Sequence, residues 1–338
     1  MSGERDRALG ALLGLAVGDA LGMPTQSMSR AAIAARYGAV DRLLDGADDQ
    51  PIAPKLPAGT VTDDTEQALL LARILLAHDG RVPAHVFAAA LEDWERQMIR
   101  RGSLDLLGPS TRRALTRLAE GEPPELAGRD GVTNGAAMRV APVGIAATGP
   151  RLLDAVVESA VVTHNTAAGI AAAAAVAAAV STAVAGAGLP AALTAAVDAA
   201  RAGARRGNWV AGADVAARLE VAFRLLPGLA RDALADAVAG VVGTSVTATE
   251  SVVAALGLAA ALGDDPRAAL VTAASLGGDT DTVAAICGAV LGAAHGAAGL
   301  PADLVATVRR INAPVLDPLD DPLDDLVEGL LTLRSTSP

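Results

Sequence analysis

Aromatic side chains are nearly missing from this chain: Phe, Trp and Tyr make up 1% of its 338 residues. Strands draw on aromatic and β-branched residues for cross-strand packing. A chain so poor in rings and so rich in alanine gives little sign of β-structure and favours closely packed helices. Lysine is scarcer still, with Lys55 alone and preceded by Pro54, so a Walker-type phosphate loop, which needs Gly-Lys, is excluded. Cys287 is the sole cysteine, which rules out an internal disulfide, and its apolar surroundings read as those of a small core residue. Basic charge is in deficit: 27 Lys and Arg against 38 Asp and Glu give −11, with no basic block. Sequence-independent binding to nucleic acid is therefore not expected. There is no GxSxG elbow, no HExxH, no paired CxxC and no GxGxxG following a strand. The opening MSGERDRALG has neither a long apolar core nor a small-residue cleavage site, so no signal peptide is read and a cytoplasmic location is expected. Ala167–Ala187 has the length of a membrane span, but it is mainly alanine and is interrupted by Gly, Ser181 and Thr182. It reads as a buried helix of a soluble protein, with no membrane partner.

What the chain does have is concentrated in two places. Ser275–Gly296 reads SLGGDTDTVAAICGAVLGAAHG, in which Gly277 and Gly278 lead into Asp279, Thr280, Asp281 and Thr282 ahead of an apolar run. A Gly-Gly pair allows a tight turn, and an Asp/Thr cluster is suited to opening a helix. An N-cap needs one short oxygen side chain, however, and here two carboxylates and two hydroxyls fall within four residues. Far upstream, Gly59–Thr65 repeats the chemistry as GTVTDDT, again before an apolar run. If the fold brings the clusters together, their carboxylates repel unless cations stand between them. Neither cluster holds His or Cys, which favours Mg²⁺ or Mn²⁺ over zinc, and neither has the spacing of an EF-hand.

Elsewhere the pattern is helical. Arg5–Leu21 carries Gly10, Gly14 and Gly18, with Gly22 following, and Gly288, Gly292 and Gly296 repeat the spacing after the second cluster. Such a row leaves a groove in which another helix can approach closely. Asp19, in GDALGMPTQ, either lines a site or bonds to backbone in the turn that ends the first helix. Further helices are expected over Thr65–His78, Val82–Arg96, Ser110–Ala119, Arg151–Thr163, Pro190–Ala204, Asp214–Leu225, Ala230–Val242 and Val246–Leu262, with two more near the C-terminus. Gly102–Pro109 reads as a turn. Gly131–Pro142 (GVTNGAAMRVAP) reads as a small-residue loop, either an ordinary turn or one whose backbone N–H groups meet a ligand. His164, at a helix junction, is either structural or a ligand contact. Trp209 reads as a loop aromatic that either stacks on a base or, the favoured reading, plugs a gap, and the acidic Leu316–Leu326 reads as turns and helix caps. No composition break marks a boundary, so one domain spanning 1–338 is expected.

Together the motifs resemble the ADP-ribosylglycohydrolase family, which includes the dinitrogen reductase-activating and ADP-ribosyl-arginine hydrolases. The resemblance runs from about Leu9 to Gly296 through GALLGLAVGDALG, TDDT (Thr62–Thr65), TNGAAMR (Thr133–Arg139), the TH of Thr163 and His164, and GGDTDT (Gly277–Thr282). It implies an all-α domain of many orthogonally packed helices with a binuclear Mg²⁺ or Mn²⁺ site. The implied ligands are Thr62, Asp63 and Asp64 from one side and Asp279, Asp281 and Thr282 from the other. The reaction it implies is hydrolysis of a ribose-linked glycosidic bond, with Asp63, Asp64 or Asp281 orienting or deprotonating water. Asn134, Gly135, Met138, His164, Gly277 and Gly278 would border the substrate, an ADP-ribosylated protein or a smaller riboside. One position departs: many members carry Glu seven residues after the Asp of GDALG, where this chain has Gln26. Gln hydrogen-bonds a ribose hydroxyl but does not trade protons near neutral pH. That departure keeps open a non-catalytic binder of ADP-ribose-like ligands, and paired Asp clusters also serve two-metal phosphoesterases.

Overall fold

The computed structural model describes residues 3–104, 106–319 and 321–336. Met1, Ser2, Asp105 and Asp320, which fall in the N-terminal stretch, the Gly102–Pro109 turn and the acidic tail read above, lie outside them. Helices dominate, and among the described residues there is no strand, only three isolated bridges such as Met28 with Gly278. The all-α expectation holds. Six helices position the site: α1 (Gly3–Gly22), α2 (Asp63–Ala77), α3 (Gly149–His164), α4 (Ala167–Val184), α5 (Ala248–Leu262) and α6 (Thr280–His295).

The centre is the pairing of α1 with α6. Every residue of α1 from Ala8 to Gly22 is buried, and so is α6 from Thr280 to Ala293. The glycine row is the reason the two axes can lie so close. A Cβ placed on Gly14 would stand 2.0 Å from the Gly288 carbonyl oxygen, and one on Gly288 would stand 2.0 Å from that of Gly14. Gly10 meets Gly292 and Gly18 meets Ala284 in the same way. Each glycine costs a helix roughly 1 kcal/mol relative to alanine, offset here by backbone contact along four turns. One end of this pair lies at Gly22, whose missing Cβ makes room for Asp281.

The fold adjusts several local readings. The alanine-rich α4 is buried on nearly all faces and is capped by Thr166, whose hydroxyl accepts from Gly169 N. Gly3–Thr25 and Ala167–Val184 are long and apolar enough to cross a membrane, yet 100% and 83% of their most apolar windows are buried within the protein. The stretch read as a loop over Gly131–Pro142 contains helical turns at Gly135–Met138 and leads into Ala141–Ala146. It is buried, so its peptide groups must pair locally, as Met138 N does with Asn134 O at 3.0 Å. Trp209 plugs nothing: it is 81% exposed. The acidic tail does more than cap helices, because Asp317 and Asp324 pair with Arg309, Asp324 also with Arg5, and Asp321 with Arg73.

Asp19 settles between its two readings. It bonds to backbone, though not that of its own turn. Thr62, the residue preceding α2, makes no side-chain cap of its own, and the Asp19 carboxylate takes that role from α1. It accepts from Thr62 N at 2.9 Å, Thr65 N at 3.1 Å, Thr62 Oγ1 at 2.7 Å and Thr65 Oγ1. The Asp19→Ala protein is expected to lose about 2–3 kcal/mol, because two buried N–H groups lose their acceptor. Urea denaturation would read this, and a loss below about 0.5 kcal/mol would show that the cap is dispensable.

Candidate metal and substrate site

The two Asp/Thr clusters meet. Asp64, in the first turn of α2, is 1% exposed, and its Oδ2 accepts from the hydroxyl of Thr282 in α6 at 3.2 Å. Its Oδ1 is buried with no hydrogen-bond donor. Burial pushes the Asp64 carboxyl well above the ordinary 3.8, and the negative charges of Asp63, Asp281, Asp19 and Asp279 push it further in the same direction. Asp279 is not spent on capping α6, since its side chain makes no cap bond. It accepts instead from Asn134 Nδ2 at 2.5 Å, and the same amide donates to Ser251 of α5 at 2.9 Å. Burial raises the Asp279 carboxyl, while hydrogen bonds from Asn134, Thr282 and Asp281 oppose that rise.

These are hard oxygen donors crowded around a buried carboxylate oxygen that has no partner, and that set suits Mg²⁺ or Mn²⁺. Among the described residues, no three His, Cys, Asp or Glu side chains close on a common point. The donors stand around Asp64, mixed with threonine hydroxyls, without forming a finished shell.

A cleft of about 300 Å³ opens over the clusters, with Asp63, Asp279, Asp281 and Thr282 in its lining. Gln26, Asn134, Gly135 and Met138 line it as well, and Gln26 Nε2 is buried there with no partner. The Gln26 carbonyl accepts from Gln50 Nε2 at 2.9 Å, which ties this loop to the segment 50–53. Thr62 lies beneath the lining, its hydroxyl proton given to Asp19. Gly277 and Gly278 also lie outside it and act through backbone. Their φ angles of 78° and 79° favour glycine, and Ser27 N donates to Gly278 O at 2.7 Å, which holds the Gln26 loop beside Asp279. His164 stands behind Gly135 with both ring nitrogens bonded inside the protein. Its protonation is driven well below the usual histidine range by burial, then by Arg139 and Arg113.

Sequence reading missed three contributors. Gln67 follows Asp63 by one helical turn and donates to its Oδ2 at 3.0 Å, a relation the i,i+4 spacing could have shown. The Leu106–Pro109 segment, read only as a turn, forms one rim of the cleft. Nothing in its composition signals that placement. Gln50 likewise carries no local signal.

Acid titration should report the crowding. The Asp19 carboxyl is raised to about 6, chiefly by burial, and Asp64 also lies above its ordinary value. A raised folded-state value means that the native protein holds more protons than the unfolded chain above pH 4. In chelator, stability is therefore expected to decline from about pH 4 through pH 6 and beyond, and Mg²⁺ or Mn²⁺ should reverse the decline at neutral pH. Calorimetry across pH would check this, and a chelated protein that gains stability between pH 4 and 7 would contradict it.

A family model for ADP-ribosylglycohydrolases matches residues 1–338. YegU of Escherichia coli (strain K12), an uncharacterised protein, is 33% identical over 295 residues, covering 85% of this chain and 88% of its own. The ADP-ribosyl-(dinitrogen reductase) glycohydrolase of Rhodospirillum rubrum is 37% identical over 163 residues, 47% of this chain and 52% of its own. A solved structure described as an ADP-ribosylglycohydrolase-related protein complex superposes with a TM-score of 0.70 at 28% identity, covering 98% of this chain and 99% of that one. By its motifs, fold and relatives, the chain belongs to the ADP-ribosylglycohydrolase family.

Proposed function

We propose that this protein hydrolyses the glycosidic bond of an ADP-ribosylated substrate or a related riboside, using two divalent cations, Mg²⁺ or Mn²⁺. The observation that carries the reading is the buried Asp64 Oδ1, without a donor, among the charges of Asp63, Asp281, Asp19 and Asp279. Thr62, Asp63 and Asp64 would hold the cations from one side, and Asp279, Asp281 and Thr282 from the other. Bound there, the cations supply Lewis acidity and a water of lowered pKa.

The chain's own residues divide the remaining work. Asp63 and Asp281 line the cleft, where a carboxylate can accept a proton from the attacking water as positive character builds at the anomeric carbon. Asn134 fixes the direction of Asp279. Gln26 offers an unpartnered amide N–H to a ribose oxygen, and Gly135 lines the cleft with backbone while its missing Cβ makes room for the His164 ring behind the wall. The apolar rim of Leu106, Leu107 and Val246 limits water entry. Product analysis on ADP-ribosyl-arginine and simple ribosides, with and without Mg²⁺, tests the reading. ADP-ribose or ribose released only with metal is expected. Phosphate release would favour a phosphoesterase, and ligand protection without turnover would favour a binder.

Gln26 sets the substrate in this account and does not supply a proton. Gln26→Glu is expected to change the ratio of kcat/KM between ADP-ribosyl-arginine and a simple riboside by roughly 10- to 200-fold. A gain of several thousand-fold on every substrate would instead identify a disabled acid/base position.

A further inference from the structure

Behind the cleft runs a buried polar chain that the proposed chemistry does not use. Arg139 is fully buried, its guanidinium 4.9 Å above the Phe87 ring. Its Nη2 donates to Thr163 Oγ1 at 2.7 Å and its Nη1 to Gln67 Oε1 at 3.2 Å. Thr163 Oγ1 lies 2.8 Å from His164 Nδ1, and His164 Nε2 lies 2.9 Å from Thr133 Oγ1. Thr163 and His164 are both 0% exposed, whereas Thr133 lines the cleft.

The direction of each bond follows from what each group can do. Guanidinium nitrogens only donate, so Thr163 Oγ1 and Gln67 Oε1 must accept. The Thr163 hydroxyl proton then has one partner within reach, His164 Nδ1. Were Nδ1 to carry the proton instead, the Thr163 hydroxyl would be left buried with no acceptor, at a cost of about 1–3 kcal/mol. Nδ1 therefore accepts, the proton sits on Nε2, and Nε2–H donates to Thr133 Oγ1. Thr133 receives a hydrogen bond from behind, and its own proton is turned toward the cleft.

We propose that Arg139, Thr163 and His164 act as positioning residues that present the Thr133 hydroxyl as a hydrogen-bond donor to an oxygen of the bound substrate. The same guanidinium orders the other wall, because Gln67, with its Oε1 engaged, must turn Nε2 toward Asp63. One buried cation thus sets the polarity of a donor on each side of the cleft. The assignment of a substrate oxygen to Thr133 rests on the ribosyl reading given above; the tautomer of His164 does not.

Two measurements test the proposal on the full chain. Nitrogen-15 NMR of histidine-labelled protein should show His164 as the neutral Nε2–H tautomer, and a Thr163→Ser protein should keep it. Calorimetric binding of ADP-ribose to Thr133→Val should weaken about 10-fold, while Thr133→Ser, which keeps both the acceptor for His164 and the hydroxyl donor, stays close to the parent in binding and in thermal stability. An Nδ1–H tautomer would overturn the chain of donors. Parent-like binding by Thr133→Val would overturn the role of the hydroxyl, and a Thr133→Ser protein that binds as weakly as Thr133→Val would reduce the position to packing. A parent protein that binds no ADP-ribose would overturn the ribosyl reading itself and the substrate contact with it.

Discussion

Replacing Asp64 by Asn is expected to lower kcat by roughly 10³-fold or more while making the metal-free protein more stable. Both effects have one cause. Asp64 is 1% exposed, and the charges acting on it from Asp63, Asp281, Asp19 and Asp279 are all negative. Without cations such a carboxylate only costs free energy, since burial removes its water and its neighbours repel it. An amide keeps the shape and abolishes the charge, so the chelated variant should unfold at a higher temperature than the chelated parent. In Mg²⁺ the order should invert, because the parent gains the free energy of binding and the variant does not. Turnover assays alongside calorimetry in chelator and in Mg²⁺ would show this crossing. A variant that is less stable than the parent under both conditions would mean that Asp64 serves the fold and not a cation.

Gly14→Ala is expected to cost more than about 3 kcal/mol. A methyl at this position would lie 2.0 Å from the Gly288 carbonyl oxygen, which belongs to a backbone and cannot swing aside. The two helices would have to part over their whole contact. That would displace Asp281, whose backbone fills the space left by the missing Cβ of Gly22. Activity should therefore fall along with stability. Gly212→Ala is the matching control: nothing lies within 4 Å of its added methyl, and its effect should stay near zero. Urea denaturation of the two variants gives the comparison, and equal small losses would show that the pair can separate without consequence.

The same glycine row shows how far the sequence could be read. Its four-residue spacing announces a close helix contact, and it recurs after the second Asp cluster, but only the fold pairs the two rows. The Asp clusters were readable because they hold more oxygen ligands than a helix cap needs. What stayed hidden depends on distance. Asp19 could line a site or bond to backbone, and nothing local to it says that the backbone belongs to α2, more than forty residues on. At a helix junction, His164 suits a structural role or a ligand contact alike. Its two threonine partners, one of them thirty-one positions upstream, hold it in the wall. The plug reading of Trp209 rests on residue type alone, and no sequence feature records that the fold leaves it in solvent. The buried chain from Arg139 to Thr133 is a product of packing, and only the folded arrangement assigns its donors.

Manganese titration followed by electron paramagnetic resonance tests most directly whether the two clusters form one centre. Two Mn²⁺ ions per chain with magnetically coupled spectra are expected, lost both in Asp64→Asn, from the first cluster, and in Asp281→Asn, from the second. Binding that is absent from the parent, or that survives either substitution with the spectrum of two isolated ions, would contradict it.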